Sequence, residues 1–243
     1  MTPALIPQAN AQLTDENLLV AADRRAFLRM AGLAGVAFAA VGCSSNSMEV
    51  VAPVASGPSG AVVGPNGAIT LDFSTDIDVL NYAYALEQLE AAFYLQVVGN
   101  AAFTTAFSAS EQRVLRDIRD HEVVHRDFFA AALGTAKIPN LTPVFGTITF
   151  SDRTSVLTTA KVFEDLGVSA YNGAARFIKS EAYLGLAGKI VSVEARHAAA
   201  IRDLLNPRSG DFAPNAFDMG NTPQAVLAAA RPFIVESITV INA

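Results

Sequence analysis

The chain has 243 residues, 51% of them hydrophobic, and 17 basic against 23 acidic side chains give a net charge of −6. A mildly acidic surface argues against nucleic-acid binding and against polybasic docking on anionic lipid. The only cysteine is Cys43, so no disulfide framework exists within one chain.

The N-terminal segment reads as an address. Asp23-Arg24-Arg25-Ala26-Phe27-Leu28-Arg29 resembles a twin-arginine export motif, with Asp where that motif usually has Ser or Thr. The apolar run Met30 to Val41 that follows is too short and too rich in Ala and Gly for a membrane span. Ala40-Val41-Gly42-Cys43 then resembles a lipobox, which makes Cys43 the lipidated first residue of the mature protein. Cleavage nearby with a soluble product, or a retained anchor, are the alternatives. The expectation is a signal peptide over 1–43, recognition by the twin-arginine export machinery, and a periplasmic or cell-envelope location with membrane attachment by the lipid alone. Removing the signal takes away three arginines and three acids, so the net charge stays at −6. Ser44 to Ala68, rich in Ser, Gly, Pro, Val and Ala, reads as a flexible tether within a linker over 44–73.

The remaining length suits one helical domain over 74–206 with a tail over 207–243. A first helix is predicted over 76–98, with Ser74 or Thr75 as N-cap and Gly99-Asn100 as the stop. Asn81, Ala85, Gln88, Ala92 and Gln96 form a small, polar strip that reads as its outer side. Nearly everything else is apolar except Glu87 and Glu90, and periodicity alone puts Glu90 nearer the centre of the apolar face. A second helix opens on the capping-box pattern Ser108-Ala-Ser-Glu111 and runs to Leu133 before Gly134. It carries Glu122 and His125 beside Ile118, Phe129 and Leu133. His121, one turn before His125, reads either as an edge histidine or as a group that supports a metal ligand or faces substrate.

From Thr135 to Asp152 helical character is lost, and Thr147 to Phe150 looks like a short extended piece. Eighteen residues can stretch to about 60 Å, whereas the 25-residue second helix is about 38 Å long, so this connector can cross the whole bundle. A third helix is predicted over 154–178, with Glu164 and Tyr171, and a fourth over 181–205, with Glu194 and His197. Gly185 and Gly188 in the fourth suggest close helix packing. Beyond Pro207 only a short helix opened by Thr222-Pro223 and ended by Pro232 stands out, expected to cover one end of the bundle.

Only three histidines occur, and two of them have Glu three positions earlier. Residues three apart on a helix share a face, so each Glu-x-x-His can hold one ion. The set recurs: Glu122 to Glu194 and His125 to His197 are both 72 residues, and Glu87 to Glu164 is 77. Two such pairs and two lone glutamates make the four-Glu, two-His set of dinuclear iron or manganese bundles. Asn81, Glu87/Tyr94, Glu122/His125, Glu164/Tyr171 and Glu194/His197, in this order, resemble the ferritin-like di-iron or di-manganese carboxylate superfamily, and more narrowly the ferritin-like proteins grouped with desiccation-related proteins of plants and bacteria. The resemblance spans residues 74–206. It implies an all-α, ferritin-like four-helix bundle with a long crossover between the second and third helices, plus the short C-terminal helix. It further implies two Fe or Mn ions, with Glu122 and Glu194 bridging, Glu87 and Glu164 terminal, and one imidazole each from His125 and His197. Tyr94 and Tyr171 would hydrogen-bond the terminal glutamates of opposing helices. The register with Tyr94 prefers Glu87 over Glu90 as ligand and leaves Glu90 as a nearby carboxylate. Many such sites place an Asp directly before the second- or fourth-helix Glu, to hold the opposing histidine; here those positions are His121 and Val193.

Carboxylates and imidazoles without thiolates suit iron and manganese. Export after folding also lets the cell load the ion before copper and zinc compete. The expected function is consumption of peroxide or oxygen under oxidative or desiccation stress, as a peroxidase, catalase or ferroxidase type of oxidoreductase. Small oxygen species and metal ions are the partners, and a homodimer is left open. A closed storage shell fits poorly with a lipid-anchored subunit. The rival reading is a non-catalytic stress or scaffold bundle without a functional metal site.

Overall fold

The computed structural model describes residues 61–64 and 67–243. Arg24, Arg25, Cys43 and most of the expected tether lie outside the described residues. Four long helices form the body: α1 (Asp76–Gly99), α3 (Ala109–Leu133), α4 (Arg153–Ala174) and α5 (Glu181–Leu205), with a single short turn of helix, α2 (Phe103–Ala106), between the first two. The fold is all-α. α1 packs chiefly on α3, and α4 on α5, so two antiparallel pairs form the bundle.

The helix ends follow their local sequence. Thr75 accepts from the backbone N–H of Asp78 at the start of α1, and Ser108 and Glu111 complete a reciprocal capping box on α3. Asp152 and Ser180 cap α4 and α5 in the same way. Asp76 Oδ1 and Oδ2 accept from the N–H groups of Lys179 and Ser180, at 2.8 and 2.9 Å, which ties the starts of α1 and α5 together.

The connector from α3 to α4 crosses the length of the bundle, and it does so along α1. Asn81 donates to the Ala136 carbonyl at 2.9 Å and accepts from Ile138 N–H at 2.8 Å. Two turns on, Gln88 accepts from Leu141 N–H at 2.8 Å. Further along, Phe145 and Phe150 pack on Phe93, with ring centroids 5.9 and 5.8 Å apart. The strip expected to face outward is thus largely covered: Asn81, Ala85 and Gln88 are buried, and only Gln96 at its end is exposed. Its polar groups serve the connector's backbone instead of water, because a buried N–H or C=O requires a partner. Thr147 to Phe150 forms turns, not a strand; the connector's one bridge is Pro143 with Ile234.

The tail does more than cap one end. It runs back along α4, with Asn221 N–H donating to Ser169 O at 3.0 Å and Phe233 packing edge-on against Phe163 at 4.9 Å. Gly173 makes this approach close: a Cβ there would lie 1.8 Å from the Asn221 carbonyl oxygen. Gly185 and Gly188, in contrast, are exposed with nothing near them, so they do not mediate helix packing. After α6 (Pro223–Ala230) the chain ends in β3 (Ile238–Ile241), parallel to β2 (Ile69–Asp72), while β1 (Val62–Val63) pairs antiparallel to β2 on its other edge. Ordered structure therefore begins before Ser74, within the stretch expected to be a tether. Ile69 and Leu71 point into the core, and a four-residue strand whose partner lies about 170 residues away leaves no local signal.

Asn81 holds the first crossing of the connector. Replacing it with Ala leaves Ile138 N–H and Ala136 C=O buried and unpaired, which should cost about 2–6 kcal/mol at 1–3 kcal/mol per orphaned group. Urea unfolding checks this; a loss below roughly 1 kcal/mol would mean that water replaces the amide.

Candidate metal centre

Each long helix turns two functional side chains inward. α1 supplies Glu87 and Tyr94, α4 supplies Glu164 and Tyr171, α3 supplies Glu122 and His125, and α5 supplies Glu194 and His197. Seven residues are two turns, so each Glu and Tyr share a face. All four glutamates are fully buried and the two histidines nearly so. They form two groups in which one ligand atom per residue lies within 4.8 Å of the others: Glu87, Glu122, His125 and Glu194, and Glu122, Glu164, Glu194 and His197. Glu122 and Glu194 belong to both.

The halves mirror each other. His125 Nδ1 is 2.9 Å from Glu194 Oε1 and 3.4 Å from Glu87 Oε2; His197 Nδ1 is 2.7 Å from Glu122 Oε1 and 3.4 Å from Glu164 Oε2. Tyr171 donates to Glu87 Oε1 and Tyr94 to Glu164 Oε1, each across to the opposing helix pair. Glu87 and Glu164 thus each have one oxygen held by a phenol and the other without a hydrogen-bond partner. Close as the imidazole and carboxylate atoms are, none of these approaches has hydrogen-bond direction. Glu87 Oε2, Glu164 Oε2, both oxygens of Glu122 and of Glu194, and Nδ1 of His125 and of His197 are buried without a hydrogen-bond partner. A buried charge or lone pair left so is costly. Eight such atoms converging on two points, with four carboxylate charges to balance two divalent ions, fit a pair of hard or intermediate metal ions.

Glu90 is also buried, but it stands outside both groups and faces α4 at Gly167, where a Cβ would lie 2.9 Å from Glu90 Oε1 and 3.5 Å from Glu194 Oε2. Because the connector covers α1's outer side as well, its apolar face has no single centre, and periodicity could not rank Glu87 against Glu90. Gly167, which nothing in the sequence marks out, leaves room there. Leu86, Leu89, Glu90, Phe163, Leu166 and Gly167 line a cavity of about 10 Å³, enough for one water-sized molecule. His121 is exposed, and its Nδ1 lies 2.9 Å from His197 Nε2 with the ring planes 11° from parallel.

Without an ion, the cluster relies on protons. Burial and the surrounding carboxylate charges push Glu90 and Glu194 well up, and burial with the charge of Glu122 pushes Glu87 up to about 7. Burial would raise Glu122 too, but contacts with His125 and His197 outweigh it and hold it at about 2. Burial opposes charge on the histidines, yet the glutamates prevail: His125 is raised strongly and His197 to about 10. Both tyrosines are pushed up by burial and their carboxylate partners, so they remain donors.

The signs fix a pH dependence for the metal-free protein. Glu87, raised from 4.5 to about 7, destabilises as pH climbs through that interval; His197, raised from 6.5 to about 10, stabilises below 6.5 and loses that contribution as pH rises through 10. Glu122, lowered to about 2, loses its contribution as pH falls from 4.5 through 2. Thermal unfolding in chelator should therefore show stability declining from about pH 5 to pH 9, while the stabilisation by added metal grows, because ions displace those protons. A flat metal-free profile would contradict these proton assignments.

No curated protein matches the chain. A family model, the ferritin-like domain, matches residues 75–207, more than half of the sequence and all of both ligand groups. With four long helices, a full-length crossover and two four-residue groups sharing Glu122 and Glu194, the chain belongs to the ferritin-like domain family.

Proposed function

We propose that this chain is an exported ferritin-like protein with a dinuclear iron or manganese centre that consumes peroxide or oxygen under oxidative or desiccation stress. The observation that carries the reading is the pair of buried four-residue groups sharing Glu122 and Glu194. Iron or manganese at those points would supply the redox chemistry towards an O–O bond. The protein's own part is to bind and orient. Tyr94 and Tyr171 fix the outer oxygens of Glu164 and Glu87, and the unpartnered oxygens face inward. The cavity beside Glu90 and Gly167 has room for one water-sized molecule only. The twin-arginine and lipobox motifs support an envelope location, where such species arrive from outside.

Natively matured protein, loaded anaerobically, should contain about two iron or manganese ions per chain. Glu122→Ala should empty both positions, whereas Glu87→Ala should leave one ion. In thermal unfolding, Glu194→Ala should destabilise the loaded protein and stabilise or spare the chelated one, since burial and the neighbouring carboxylates disfavour the Glu194 charge in an empty site. Equal shifts in both conditions, or less than half an ion per chain in the wild type, would favour the scaffold reading. Location has its own test: lysines at positions 24 and 25 should retain the protein in the cytoplasm, and Cys43→Ala should abolish lipid labelling and free the exported protein from the membrane. A Cys43 variant that stays membrane-bound would replace the lipoprotein reading with an uncleaved anchor.

A further inference from the structure

The two halves of the site differ beyond their shared donors: the 77-residue offset that relates Glu87 to Glu164 sets Glu90 against Gly167. The 72-residue repeat that relates Glu122 to Glu194 and His125 to His197 also relates His121 to Val193. His121 Nδ1 stands 2.9 Å from His197 Nε2, with ring centroids 5.2 Å apart and planes 11° from parallel. The other nitrogen of His197, Nδ1, faces Glu122 and Glu164 at 2.7 and 3.4 Å. Where Nδ1 gives its lone pair to an ion, the ring's proton sits on Nε2, and a doubly protonated ring carries one there too; in both states His197 donates and His121 Nδ1 accepts. The proton of neutral His121 then sits on its own Nε2, on an exposed residue. Val193 has no polar side-chain atom and can do nothing comparable for His125.

We propose that His121 is a positioning residue that locks the tautomer and ring plane of His197, and so makes the two metal positions unequal. The ion held by Glu164 and His197 meets an oriented imidazole backed by a solvent-facing one; the ion held by Glu87 and His125 meets an imidazole without that support. The Glu164–His197 position is the tighter and fills first. This inference rests on the dinuclear reading above. Removing a partner that orients a metal-binding histidine typically weakens metal affinity about 10–100-fold.

Anaerobic titration of the full chain with manganese(II) against a competing chelator, followed by electron paramagnetic resonance, tests it. Wild type should take up two ions in separate steps. His121→Leu should weaken the tighter step about 10–100-fold and leave the weaker one roughly unchanged, and His121→Asp, which restores an acceptor, should recover it. In the metal-free protein, nitrogen-15 NMR should show the His197 Nε2 proton hydrogen-bonded to His121, a signal absent from His121→Leu. Equal affinities in wild type, equal weakening of both steps, unchanged binding in a His121→Leu protein that still melts cooperatively, or absence of that NMR signal in wild type would each overturn the proposal. Two ions in wild type with an unaffected variant would overturn it alone; no ion in wild type would overturn the dinuclear reading with it.

Discussion

Four carboxylates and two imidazoles in the dry centre of four helices constrain the rest of the molecule. Each ionised group there has lost its hydration, and only a counter-charge at ligand distance or a shared proton restores the balance. The arrangement is consistent with this at every level. Tyr94 and Tyr171 bind one oxygen of each terminal glutamate and leave the second for the centre. Glu122 and Glu194, which would bridge, have both oxygens without hydrogen-bond partners. Protons held by His125 and His197 compensate part of the charge when no ion does, and the same nitrogens are the ones an ion would use.

Keeping that centre dry falls to elements outside the four helices. α1 is buried on almost every side because the connector lies along it, and the connector is in turn bonded to the tail through Val144, Phe233, Thr142 and Val235. Phe93, Phe145, Phe150, Phe163 and Phe233 join α1, connector, α4 and tail in one aromatic cluster above the site. The small sheet closes the circuit by pairing β2, just before α1, with the last strand of the chain. A bundle whose helix pairs are tied together from outside can hold ligand residues from all four helices in a fixed geometry without relying on the ion.

The pseudo-symmetry of the site has chemical limits. Repetition in the sequence gives each half the same donors, but His121 and Val193 give them different surroundings. Unequal support is one way for a symmetric ligand set to bind two like ions in sequence.

What the sequence by itself determined are features encoded within a turn or two of helix. Caps at Thr75, Ser108 and Thr222 set helix starts, Glu-x-x-His placed two donor pairs on single faces, and seven-residue spacing put Tyr94 and Tyr171 on the faces of Glu87 and Glu164. These signals are local, so they survive without knowledge of neighbours. Only the tertiary structure decided that Glu87 joins the cluster while Glu90 faces Gly167, that Asn81 and Gln88 bind a connector instead of water, that His121 meets His197, and that Ile69 and Leu71 pair with a strand at the far end of the chain. Each of these depends on contacts between segments more than 50 residues apart, set by how rigid helices are placed against one another, and a side chain's own sequence neighbours carry no record of that placement.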